Sequence, residues 1–178
     1  LPFPLQHLGV VKAIESAARI LQETGCQAIK LEGTSGQRDV IAGIVEAGIP
    51  VMAHVGLRPQ AVHQLGGYRI QRDRDQLLAD ATAAESAGAC GVVLECVPAE
   101  IASEITTTIS IPTIGIGAGP KCDGQVLVLH DLIGLSVDRI PRFVRSYADT
   151  KGTVLDAVTS WRQDVEAKTF PSEAEILA

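Results

Sequence analysis

Residues Ser86–Cys96 read SAGACGVVLEC, and this stretch decides the fold. Ser-Ala-Gly closes a helix, because glycine just past a helix end tolerates the left-handed conformation required there. Val92, Val93 and Leu94 then form a continuous apolar run. Such a run reads as a strand buried on both faces. It ends on Glu95. A buried carboxylate without a partner is costly, so Glu95 has either a partner or a task.

The same cadence recurs in ETGCQAIKLEG (Glu23–Gly33), EAGIPVMAHVG (Glu46–Gly56) and TISIPTIGIGAG (Thr108–Gly119). Three of the four copies open with Ala-Gly or Thr-Gly. Helical stretches precede three of them. In VVKAIESAARILQETG the apolar stripe is Val11, Ile14, Ala18 and Leu21; SGQRDVIAGIVEAG and DRDQLLADATAAESAG behave alike. Apolar strands alternating with amphipathic helices indicate parallel βαβ units covered on both faces. After the fourth strand, DGQVLVLHDLIG offers a possible fifth. A helix is expected near IPRFVRSYAD and another near TVLDAVTSWRQDVEAK, and TFPSEAEILA is expected to be an irregular tail.

A doubly wound sheet and a (β/α)8 TIM barrel both fit this α/β pattern. A dinucleotide-binding sheet wants its glycine motif directly after an early strand. Here GIGAG comes late and Pro120 follows it. Polar residues at the tips of several strands are instead the habit of barrels, which need about 250 residues. The 178 residues are therefore expected to form a single domain over 1–178 that carries roughly the C-terminal half to two-thirds of a barrel. The chain opens LPFPLQ and its sole methionine is Met52, so it is expected to begin inside a longer protein.

Composition narrows the function. A net charge of -6 leaves no basic footprint for nucleic acid. No apolar run is long enough to span a bilayer, and no segment has the build of a signal peptide. Cys26, Cys90, Cys96 and Cys122 form no CxxC pair and read as buried or half-buried free thiols in a reducing cytoplasm.

The strand tips carry the candidate chemistry. Lys30 and Glu32 are two apart, so they share a face. Lysine can grip an anionic substrate and glutamate can hold a divalent metal, although a structural ion pair uses the same residues. His54 could hydrogen-bond a carbonyl or shuttle a proton, or be a satisfied core histidine. Glu95, partly desolvated, would have a raised pKa and suit a general base; the plainer reading is a salt bridge to an arginine. Cys96 should then face away from Glu95. The glycines of IGIGAG would admit a ligand to the backbone, while Asp123 and Gly124 suit a turn. His7 and His63 suggest no role, and His130 reads as structural.

IKLEG, VMAHVGLRPQAV, LGGYRIQ, VVLECVPAEIA and IPTIGIGAGPKCDGQVLVLHDLIG together resemble ketopantoate hydroxymethyltransferases, and the likeness runs on through VEAKTFPSEAE. The resemblance implies a (β/α)8 barrel that assembles as a homo-oligomer, a decamer in bacteria. It implies transfer of a hydroxymethyl group from 5,10-methylenetetrahydrofolate to 3-methyl-2-oxobutanoate, with Mg2+, in cytoplasmic pantothenate biosynthesis. Carried over by motif, Lys30 and His54 would bind the keto acid, Glu32 would bind the metal and Glu95 would be the proton acceptor. Two departures stand out. The family's GDS motif, and the aspartate that precedes LPF, are not in these residues. The glycine-rich loop expected after GGYRIQ is not in these residues; RDRDQLL follows directly. A non-catalytic barrel fragment acting as a structural subunit, or another metal-dependent aldolase or lyase acting on a 2-oxo acid, would share part of this pattern.

Overall fold

A computed structural model describes residues 1–137 and 140–176. They fall into two compact units, Leu1–Val126 and Leu127–Ala178. The first unit holds helices α1 (Val10–Thr24), α2 (Arg38–Glu46), α3 (Arg74–Ser86) and α4 (Ala99–Thr108). Its strands are β1 (Ile29–Glu32), β2 (Val51–Gly56), β3 (Gly91–Glu95), β4 (Thr113–Ile116) and the two-residue β5 (Gly124–Gln125). The expected helix ends are in place: Gly25, Gly48 and Gly88 all have φ between 71° and 85°.

The five strands lie in the order β1-β2-β3-β4-β5, and every pairing is parallel. A doubly wound sheet reverses its strand order at a switch point. No reversal occurs here, so the sheet is an arc of a β/α barrel.

Helices cover one face only, which corrects the expectation of cover on both. On that face Leu31, Val51, Val55, Val92 and Leu94 are at most 2% exposed. They pack with Ile44 of α2, Ala81 and Ala84 of α3, and Ile105 of α4 in one core cluster. Small residues let the helices approach the sheet closely. On α1 the fully buried positions are Ala13 and Ala17, whereas Val11 is 71% exposed. Ile14, Ala18 and Leu21 of the expected stripe are half-buried against the core, so only Val11 falls outside it.

Between β4 and β5 there is no helix, and the chain returns through residues 117–123. Asp123 anchors this return: its Oδ2 accepts hydrogen bonds from Thr113 N (2.8 Å) and Thr113 Oγ1 (3.0 Å). Those bonds hold its carboxyl below the usual carboxylate range. The glycine loop serves packing: a Cβ on Gly119 (φ +80°) would lie 2.5 Å from Ala99 Cβ at the start of α4.

The second unit contains the one-turn α5 (Leu129–Leu132) and α6 (Thr150–Glu166), the latter capped by Asp149 Oδ1 on Gly152 N at 3.0 Å. The helix expected over IPRFVRSYAD does not form. Pro141 starts a turn, Tyr147 N donates to Leu132 O at 2.8 Å, and Ser146 Oγ donates to Asp131 O at 2.9 Å. These long-range bonds take the place of a helical ladder. The tail carries one 3-10 turn at Glu173–Glu175, and its last two residues lie outside the described ones. Among the described residues no helix is long and apolar enough to cross a membrane. All four cysteines are free; Cys96 and Cys122 are half-buried as expected, but Cys26 and Cys90 are exposed.

Candidate active site at the strand tips

Register brings the candidate residues together. Lys30 aligns with Met52, Glu32 with His54, His54 with Val93, and Gly56 with Glu95. Side chains alternate along a strand, so Lys30, Glu32, His54 and Glu95 all project from the face opposite the helices, near the C-terminal ends of three adjacent strands.

Lys30 Nζ lies 2.9 Å from His54 Nδ1 and 3.7 Å from Glu32 Oε1. His54 Nε2 lies 2.7 Å from Leu57 O and 3.3 Å from Glu95 Oε2. Glu32 is buried, and its Oε2 accepts a hydrogen bond from Gln60 N at 2.9 Å. No arginine pairs with Glu95 among the described residues.

Burial sets the electrostatics. It pushes the His54 ring down to about 4, and the neighbouring Lys30 ammonium adds to the effect. The 3.3 Å approach of His54 to Glu95 is therefore a carboxylate against a neutral imidazole rather than an ion pair. Glu95 moves upward: burial is the main cause, Lys30 opposes it and Glu32 reinforces it. A partly desolvated carboxylate with a raised pKa is suited to taking a proton from a weak carbon acid.

Backbone features hold the tips in place. Gly56 has φ +95°, and a Cβ there would lie 2.3 Å from Glu95 O. The glycine lets Leu57 N donate to that carbonyl at 2.8 Å. Cys96, the residue after β3, adopts φ +51° and so breaks the extended backbone immediately after Glu95. Behind Glu32, the buried Asp80 accepts from Ser35 N and from Gln76 Nε2, each at 2.7 Å.

A cavity of about 620 Å³ opens beside Glu32, lined also by Phe3, His7, Arg58, Gln60 and His63. Sequence reasoning left these residues without a role. Their only signal was position, since 58–64 directly follow the tip of β2. As for a metal, no group of three His, Cys, Asp or Glu side chains gathers to hold one among the described residues. Glu32 offers a single carboxylate. These residues alone do not fit a magnesium site.

A family model described as Ketopantoate hydroxymethyltransferase matches residues 1–173. The 3-methyl-2-oxobutanoate hydroxymethyltransferase of Rhodopirellula baltica is 52% identical over 175 residues, covering 98% of this chain and 65% of its own length. That of Syntrophomonas wolfei is 47% identical over 177 residues, covering 97% of this chain and 64% of its own. The chain thus spans slightly less than two-thirds of these relatives. Among solved structures, the Amycolatopsis orientalis BexX/CysO complex matches with a TM-score of 0.50 at 14% identity, over 94% of this chain and 67% of that one. That likeness concerns the fold alone.

Proposed function

The chain belongs to the ketopantoate hydroxymethyltransferase family, and we propose that its strand tips carry out the enolising half of hydroxymethyl transfer to 3-methyl-2-oxobutanoate. The observation that supports this most is Glu95: a carboxylate with a raised pKa, two strands from an ammonium, on a shared face.

The residues divide the labour by charge. Lys30, about half exposed, meets the carboxylate of the keto acid. Glu95 takes the proton from C3. The carbanion so formed takes up the one-carbon unit of 5,10-methylenetetrahydrofolate at the formaldehyde level: one water supplies the hydroxyl oxygen, tetrahydrofolate leaves, and the proton held by Glu95 returns to the new alkoxide, giving ketopantoate for pantothenate synthesis. The cavity beside Glu32 has the volume of a small-molecule site, which leaves room for a second substrate. Magnesium is implied by the family; Glu32 would give it one carboxylate, and its remaining ligands are not among the described residues. Residues 1–178 would act as one domain within a cytoplasmic homo-oligomer, a decamer by family likeness.

The test is the formation of ketopantoate from the keto acid and methylenetetrahydrofolate, with and without magnesium. Folate-dependent product is expected. Aldol or lyase turnover of a 2-oxo acid without folate would overturn the transferase reading in favour of a different barrel enzyme.

A further inference from the structure

Both ring nitrogens of His54 are already engaged. Nε2 lies 2.7 Å from Leu57 O, and a carbonyl only accepts, so Nε2 carries the hydrogen. Nδ1 lies 2.9 Å from Lys30 Nζ, and an ammonium only donates, so Nδ1 presents its lone pair. The partners, both fixed in kind, set the tautomer. The same nitrogen lies 3.3 Å from Glu95 Oε2, a close approach without a hydrogen bond, because its hydrogen is directed at the Leu57 carbonyl. The ring is 3% exposed.

This ring stands between the two charged groups the reaction requires. A direct ammonium–carboxylate contact would stabilise the ionised carboxylate, lower its basicity and occupy the ammonium. A neutral ring that accepts from Lys30 on one edge, and is anchored to Leu57 O on the edge that packs against Glu95, keeps the cation and the base apart while fixing the place of each. A protonated ring could not accept from Lys30.

Resting on the reading of Lys30 as the cation for the keto acid and Glu95 as the base, we propose that His54 is a positioning residue. It is a neutral, Nε2-protonated imidazole that spaces and orients Lys30 and Glu95, and it does not hydrogen-bond the keto acid itself.

Two measurements test this. The first needs no substrate, so it stands even if the transferase reading fails. Histidine-labelled protein at neutral pH is examined by 15N NMR, with the His54 signal identified by its absence from His54→Asn. An Nε2–H tautomer is expected; an Nδ1–H tautomer or an imidazolium would overturn the proposal. The second splits the two hydrogen bonds. His54→Asn keeps an acceptor near the Nδ1 position and loses the Nε2–H that anchors the ring edge against Glu95 to Leu57 O. His54→Gln keeps a donor near Nε2 and loses the acceptor for Lys30. Losing one such hydrogen bond corresponds to about tenfold. His54→Asn should therefore lower kcat by at least about tenfold with little change in KM for the keto acid, and His54→Gln should raise that KM by a similar factor with kcat largely kept. Equal rises in KM with unchanged kcat in both variants would mark His54 as a direct substrate ligand and overturn the proposal. If both variants fail to fold, the tautomer decides, with His54 assigned as the ring signal that survives His7→Gln, His63→Gln and His130→Gln alike.

Discussion

Lowering the pH from 7.5 to 5.0 should destabilise the protein through His54. In the native state its ring titrates at about 4, against 6.5 in the unfolded chain. Between those values the unfolded chain binds a proton that the native state refuses, so stability falls as the pH falls through this window. Each pH unit costs about 1.4 kcal/mol, which amounts to about 3 kcal/mol over the whole window and about 2 kcal/mol by pH 5. Glu95 acts in the opposite sense: its raised native pKa favours the folded state as the pH drops. Comparison with His54→Asn isolates the ring. Urea unfolding at both pH values should show the wild type losing about 2 kcal/mol more than the variant. Parallel losses in the two proteins would refute the reasoning, because they would mean that the native ring is protonated as readily as the unfolded one.

Other perturbations separate support from chemistry. Gly56→Ala should destabilise the protein by more than about 1 kcal/mol, because it combines a positive φ with a Cβ 2.3 Å from Glu95 O, and turnover should fall as that carbonyl shifts; thermal melting and steady-state rates check both effects. Leu94→Ala, at a fully buried core position, should cost about 2–5 kcal/mol in urea unfolding without changing the affinity for the keto acid in the protein that remains folded. Lys30→Gln should weaken keto-acid binding by about ten- to a hundredfold, the worth of a hydrogen bond to a charged group, as read by calorimetry.

Much of this was legible in the sequence because strands and helices write their periods locally. Gly25, Gly48 and Gly88 mark the helix ends in the sequence and have positive φ in the structure. The two-residue spacing of Lys30 and Glu32 placed them on one face, where they lie 3.7 Å apart. What escaped depends on distant partners. The deepest positions of α1, Ala13 and Ala17, lie beside the expected stripe of Ile14, Ala18 and Leu21, because close packing against neighbours favours the smallest side chains. The helix expected at Ile140–Asp149 is missing because Pro141 opens a turn and Tyr147 N and Ser146 Oγ find acceptors on α5. The GIGAG loop looked suited to a ligand, yet Gly119 is needed by Ala99, some twenty residues earlier in the chain. Gln60, which holds Glu32, lies in a 3-10 turn at Pro59–Ala61, too short for a period to announce it. The engagement of both His54 nitrogens is invisible without Lys30 and Leu57 beside them.

The central claim is that Glu95 removes the C3 proton of a keto acid held at these strand tips. Exchange of the C3 hydrogen of 3-methyl-2-oxobutanoate with deuterated water, followed by proton NMR in magnesium-containing buffer, isolates that step from carbon transfer. The wild type should catalyse the exchange. Glu95→Gln should lower its rate by about a hundredfold or more while leaving keto-acid affinity within a few-fold. Exchange at an unchanged rate in Glu95→Gln would contradict the account.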